Sequence, residues 1–283
     1  MKLERAVVIR RTASLVLIAL VLAILVWTLL SLHIPAADWE NTYYPAIQAL
    51  IKLQNPYQEA PKFIAPAWTV VALFPFAFLP EDISRVVFFI GSLLGFAYVG
   101  YKMGCRPIGL AAFLLSAPVA HCLIMGNVEW LPLLGLCLPA PLALVFLTMK
   151  PQTTIGAIIY LLVQQGRLGF KTLAKAVAPA AILFGLSTWA YGLWFTRFGG
   201  AAVLAGELAI RIWPYGVVIG LVLLFIGLRK RQRELALAAS PWLSPYTILL
   251  TWSGFIVSFA KSTKAMVVVS ALSWLLWLAY RYR

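Results

Sequence analysis

Ala13-Ser14-Leu15-Val16-Leu17-Ile18-Ala19-Leu20-Val21-Leu22-Ala23-Ile24-Leu25-Val26-Trp27-Thr28-Leu29-Leu30-Ser31-Leu32-His33 has no acidic residue, lysine or arginine over the about 20 residues that a helix needs to cross a bilayer. Lys2, Arg5, Arg10 and Arg11 precede it, a basic flank that holds the N-terminus in the cytoplasm. The run exceeds the roughly 7–15 residues of a signal-peptide core, and more apolar runs follow, so a spanning helix is expected rather than a cleaved leader.

Those runs cover about 64–79, 86–101, 108–125, 130–149, 155–163, 176–195, 213–228, 242–260 and 265–280. Of the 283 residues, 63% are apolar and 11% charged, with a mean hydropathy of +0.91. Soluble domains hold about 45–50% apolar and about 25% charged residues, so the composition is that of a membrane-integral chain. Disorder, collagen, coiled coil and a disulfide scaffold are excluded; Cys105, Cys122 and Cys137 are odd in number and lie in or beside apolar segments.

The net charge of +14 comes from 23 Lys+Arg against 9 Asp+Glu. In a membrane chain such an excess sits on cytoplasmic loops beside anionic lipid and implies no nucleic acid. Arg229-Lys230-Arg231-Gln232-Arg233, then Arg167, Lys171 and Lys175, mark inner loops, and Arg281 and Arg283 an inner C-terminus. The expected fold is an all-α polytopic transmembrane helical bundle of about eight to ten membrane segments, both termini inside, one domain over 1–283. The chain is expected to be a multi-pass protein of the cell membrane.

Simple alternation puts Lys102 and Arg106 outside. They move inside if 64–79, broken by Pro66 and Pro75, and 130–149, broken by Pro139 and Pro141, are re-entrant. The re-entrant arrangement is preferred, because non-helical backbone at membrane depth is tolerated where it lines a protein cavity.

The longest polar stretch, roughly 34–63, lies outside and holds Asp38, Glu40 and Glu59. Tyr43, Ala46, Ile47 and Leu50 repeat at helical spacing, with Gln48 and Lys52 on another face. This predicts a short helix along the outer membrane surface, ended by a turn at Asn55-Pro56-Tyr57.

An ionisable residue inside a span costs about 2.5–3.5 kcal/mol, so each needs a reason. Glu129, in Gly126-Asn127-Val128-Glu129, and Lys150, in Lys150-Pro151-Gln152, either sit at span ends in water or are returned to one face by the broken run between them. In the second case an acid, an amide and a lysine line one polar pocket. Asp38 has a similar choice. It or Asn41 caps the surface helix, or the carboxylate serves as a general base, or Asp38 and Glu40 hold a divalent cation through oxygen. His33 and His121 lack partners at metal-ligand spacing, and no phosphate loop, nucleophile elbow or zinc pattern occurs.

Taken in order, these features resemble the GT-C class of integral-membrane glycosyltransferases, most closely glycosyltransferase family 87, the polyprenol-phosphate-mannose-dependent mannosyltransferase-like proteins. The likeness rests on a first span followed by Asp38-Trp39-Glu40-Asn41-Thr42-Tyr43-Tyr44-Pro45-Ala46 and Asn55-Pro56-Tyr57. Ala65-Pro66, Phe74-Pro75-Phe76-Ala77-Phe78-Leu79-Pro80, Gly126-Asn127, Lys150-Pro151-Gln152 and Ser244-Pro245-Tyr246 follow in family order. The chain departs at Ile64-Ala65-Pro66, where Tyr-Pro-Pro is usual, and at Tyr246, where some members have histidine. One interrupted run stands between Gly126-Asn127 and Lys150 where other members have two spans.

The resemblance implies transfer of a mannose-like sugar from a polyprenyl-phosphate carrier to a lipid or protein acceptor at the outer face, with membrane lipids as surroundings. It makes Asp38 the base and Lys150 the stabiliser of the leaving phosphate. Glu40, Tyr43, Tyr44, Asn127, Glu129, Gln152 and Tyr246 become candidate substrate contacts. No cofactor is implied with certainty, and a divalent cation stays open. The alternatives are a catalytically inactive GT-C-like subunit of a larger complex and a lipid or solute transporter.

Overall fold

Helix α2 (Glu81–Met103) is the longest among the described residues, and the sequence dictates both its ends. Pro80 precedes it, and Glu81 and Asp82 fill its first turn, where the helix dipole favours acids. Lys102 sits in its last turn, and Gly104, at φ +103°, ends it.

A computed structural model of the protein describes residues 36–200 and 212–281, with Ile24, Thr28, Ser31 and Ile210. The first expected span at 13–33 therefore lies, but for three isolated positions, outside the described residues. The helices of eight residues or more are α1 (Tyr44–Ile51), α2 (Glu81–Met103), α3 (Pro107–Leu114), α4 (Ala117–Met125) and α5 (Ala140–Leu147). They continue as α6 (Pro151–Arg167), α7 (Phe170–Tyr191), α8 (Gly216–Lys230) and α9 (Thr263–Arg281). Among the described residues the fold is all-helical.

Among the described residues two helices, α2 and α7, are long and apolar enough to cross a membrane, and α3 with α4 adds a third if the pair, bent by 55°, is one broken span. At 1.5 Å per residue α2 reaches about 34 Å, enough for a hydrocarbon core of about 30 Å. Other apolar runs are cut into pieces. Residues 64–79 form a short helix, Ala67–Leu73, followed by a 3-10 turn, Phe74–Phe78, at Pro75. Residues 130–149 become Trp130–Leu134, a 3-10 turn Gly135–Cys137, and α5 after Pro139, and the two arms pack on each other. The run at 242–260 is no single helix but three pieces, Ser240–Leu243, Leu249–Trp252 and Ser253–Val257.

Apolar side chains point both inward and outward. Trp39, Ile47, Phe63, Trp68 and Phe88 form one buried cluster, and Phe96, Phe113, Leu133, Leu237 and Met266 another. On the outside, α7 presents Ile182, Phe184, Leu186 and Trp189, with only 11% of its apolar window buried. Exposed apolar surface of this extent marks contact with lipid or protein. The protein is thus read as a membrane protein.

The first loop is more deeply built in than its sequence predicts. Ala46, Ile47 and Ala49 of α1 are buried, the Gln48 amide donates to the Ala77 carbonyl, and Trp39 stacks on Phe88 at 4.1 Å. So α1 is docked against the Phe74–Phe78 turn, and the Trp39–Tyr43 turn before it against α2, rather than lying free on a surface. Asn55-Pro56-Tyr57 does more than turn: the Asn55 side chain accepts from the Tyr57 N–H and caps a short helix, Pro56–Glu59.

The two ends of α2 differ in charge. Near its start Arg85 lies 3.7 Å from Glu40. At its end the Arg233 guanidinium donates to the Leu136 carbonyl at 2.6 Å and to the Met103 sulfur at 3.2 Å, and Lys261 pairs with Glu234 at 2.8 Å. The Arg229–Arg233 loop, Lys102 and Lys261 therefore share one end of the molecule, away from Glu40.

Candidate functional site

Four segments meet around Asn127. Asp38 precedes a π-helical turn, Trp39–Tyr43, but makes no side-chain capping bond there. Its carboxylate instead accepts a 2.6 Å hydrogen bond at Oδ2 from Asn127 Nδ2, across 89 residues of chain. The close approach depends on Gly126, the left-handed residue (φ +68°) that ends α4. A Cβ at Gly126 would lie 3.1 Å from the Ala36 Cβ and closer still to Trp39, so only glycine lets the Asp38 segment come this near.

Lys150 leads into α6, and Pro151 occupies the first helical position, where the missing N–H costs nothing. The Lys150 ammonium donates to Asn127 Oδ1 at 2.7 Å and to Glu129 Oε1 at 2.9 Å. Thr153, one turn into α6, donates from Oγ1 to Glu129 Oε2. Thr153 is seated by Gly254, where a Cβ would meet the Thr153 carbonyl oxygen at 2.6 Å. The result is a continuous chain of contacts from Asp38 through Asn127, Lys150 and Glu129 to Thr153.

Electrostatics keep Lys150 charged. Glu129 is fully buried and Lys150 is 8% exposed, so either alone would be strongly destabilising. Burial by itself would push the Lys150 ammonium down; the Glu129 carboxylate, with a smaller contribution from Asp38, outweighs it and holds the lysine above its ordinary value. Burial also pushes the Tyr43 phenol up, with Lys150 opposing and Asp38 and Glu129 adding to the effect, so Tyr43 stays a neutral hydroxyl.

A cavity of about 470 Å³ opens onto this cluster, lined by Asp38, Tyr43, Asn127, Lys150, Gln152 and Tyr246. Ile64, Met149, Ile155 and Phe198 give it apolar walls, and Lys62 stands on its lining as a second basic group. A smaller, mostly apolar cavity of about 280 Å³, with His121, Met125 and Leu276, reaches Asp38 from another side.

Other candidates are placed elsewhere. Glu40 accepts from the Ala36 N–H at 3.1 Å and faces Arg85, and the Tyr44 hydroxyl donates to the Leu79 carbonyl at 3.2 Å. Neither lines the cavity, because residues two or one further along a helical turn leave the face of Asp38 and Tyr43, respectively. Asp38 and Glu40 hence diverge and form no cation-binding pair. Among the described residues no group of three or more His, Cys, Asp or Glu comes together. Glu129 lies behind Lys150, sealed from the cavity, which corrects its expected role as a substrate contact.

Two residues of the site were not singled out from sequence. Thr153 was readable as the position one turn after Lys150, on the same helix face. Lys62, a lone lysine after Pro61, has no pattern around it.

No family model matches the chain, and no curated protein or solved structure matches it. What fold and site define is a class: a helical membrane protein with a polar, charge-lined cavity enclosed by apolar walls.

Proposed function

We propose that the protein is a membrane glycosyltransferase that moves a mannose-like sugar from a polyprenyl-phosphate carrier to a lipid or protein acceptor at the outer face of the cell membrane. The observation that carries this reading is the meeting of Asp38 and Lys150, through Asn127, on one cavity. Asp38 Oδ2 is engaged by Asn127, which leaves Oδ1 to take the proton of an acceptor hydroxyl as its oxygen attacks the anomeric carbon. The bond from that carbon to the phosphate oxygen breaks, and the phosphate leaves with the electron pair. Two of the three Lys150 donors are already engaged, so Lys62 takes the direct phosphate contact and Lys150 acts through its field. Gln152 and Tyr246 offer contacts to sugar hydroxyls, and the apolar walls suit the isoprenoid tail.

The reading includes a topology of about eight to ten membrane segments with both termini inside and the Pro-broken stretches 64–79 and 130–149 re-entrant. It is supported by the gathering of Lys102, Arg233 and Lys261 at one end of α2 and of Glu40 near the other, the distribution the positive-inside rule favours.

The test is transfer of radiolabelled mannose from polyprenyl-phosphate-mannose by the purified protein in liposomes that contain a membrane lipid extract. Asp38→Asn is expected to lower the rate by about a hundredfold or more while leaving unfolding temperature unchanged. Undiminished transfer by Asp38→Asn overturns the base assignment. A wild type with no transfer, while its donor binds, favours the non-catalytic subunit.

A further inference from the structure

We infer that Lys150 and Glu129 are positioning residues that fix the polarity of the Asn127 amide and thereby decide which oxygen of Asp38 receives a proton. A lysine ammonium can only donate hydrogen bonds, so the end of the Asn127 amide that meets Lys150 must be its oxygen. The NH2 end is left for Asp38, and a carboxyl oxygen that meets an N–H donor must accept. Oδ2 is thereby held as an acceptor, and any proton that Asp38 takes up goes to Oδ1. The assignment follows from donor and acceptor chemistry at both ends of the amide, not from the drawn orientation alone.

Glu129 makes the arrangement durable. Its carboxylate accepts from Lys150 and from Thr153 and has no contact with water, so Lys150 stays charged in a dry site. Without the ammonium the amide is free to turn over and present its oxygen to Asp38. That contact favours a protonated Asp38 whose O–H points at Asn127, away from the cavity, and the base is lost. The catalytic consequence rests on the reading of Asp38 as the base; the polarity itself does not.

The experiment compares wild type, Lys150→Met, Lys150→Arg and the double variant Glu129→Gln/Lys150→Met, each reconstituted as the full chain. Three quantities are read: unfolding temperature, transfer of labelled mannose as above, and the titration midpoint of the Asp38 carboxyl. The midpoint comes from infrared difference spectra against Asp38→Asn in the same background. Lys150→Met alone leaves a buried, unpaired carboxylate and is expected to unfold at a lower temperature. The double variant removes one positive and one negative charge together, so it is expected to fold near the wild-type temperature. Because Lys150 stands between Asp38 and Glu129, part of any midpoint rise is Coulombic, and Asn127→Leu, made in the wild type and in the double variant, separates that part from the amide's own contribution.

Other titratable groups facing Asp38 are Tyr43, Tyr246 and Lys62 across the main cavity and His121 across the second, with Glu40 on its own helical turn; none is altered. In the double variant the midpoint is expected to rise by about one pH unit or more, with transfer reduced at least tenfold. Asn127→Leu is expected to raise the midpoint in the wild type, where the amide donates to Asp38, but not in the double variant; an equal rise in both overturns the proposal. Lys150→Arg, which still only donates, is expected to keep the midpoint within about half a unit of wild type. A folded double variant with an unchanged midpoint, or a double variant that does not fold, overturns the proposal and leaves a purely structural ion pair. Absence of transfer in every form, with the midpoint shift present, sinks the transferase reading alone.

Discussion

A Cβ built on Gly126 would lie 2.6 Å from the Cβ of Trp39, a separation no pair of real side chains tolerates. The next residue on each side of this contact belongs to the hydrogen-bonded cluster on the cavity: Asp38 precedes Trp39, and Asn127 follows Gly126. The close approach of two backbones is what lets their short side chains reach each other. Gly126→Ala is expected to cost about 2–4 kcal/mol, from a left-handed φ of +68° and from overpacking against Trp39. Thermal unfolding in detergent checks the cost. The variant is also expected to lose transfer while Asp38 and Asn127 are both intact; wild-type stability and rate would remove the glycine from the account.

Glu40 and Asp38 are two residues apart and are expected to respond oppositely. Glu40→Gln keeps an acceptor for the Ala36 N–H and loses only a partly exposed pairing with Arg85 at 3.7 Å. Arg85 is buried but keeps Asp82 at 3.9 Å, and Glu40 does not line the cavity, so the variant is expected to transfer sugar within about twofold of wild type. A collapse equal to that of Asp38→Asn in the same assay would return Glu40 to the reaction.

Lys102 reports the topology. It is exposed in the last turn of α2, at the end where Arg233 meets Met103. With 64–79 re-entrant, this end faces the cytoplasm. In a background with the three native cysteines replaced, Lys102→Cys is expected to react with a membrane-impermeant maleimide only after right-side-out vesicles are opened. Labelling of intact vesicles would show that 64–79 crosses.

Hydropathy was enough to read a helical membrane chain and to find α2 and α7 within their apolar runs. It could not tell one helix from several pieces, because it registers transfer into an apolar medium and not backbone continuity. Residues 242–260 are as apolar as a span, yet they break around Pro245, where Ser244 and Ile248 are both extended. At the site, the residues Asn127 and Lys150 were visible as polar intrusions, and the structure brings them to Asp38. Glu40, Tyr44 and Glu129 were equally visible, but whether they line a cavity depends on helix phase and packing depth. Neither is written in spacing alone. Lys62 enters only because the loop at 52–55 and the short helix Pro56–Glu59 fold back over α1, a tertiary event.

Helix α7 packs on α5 and α6 along one side, but among the described residues only 11% of its apolar window is buried, and Trp189 stands almost bare. The rest of its apolar face takes its van der Waals partners from acyl chains or from further protein, which makes that surrounding layer a component of the structure. Stripping it with a short-chain surfactant removes the packing of α7 before that of the interior helices, so the choice of solubilising agent decides whether this helix survives purification.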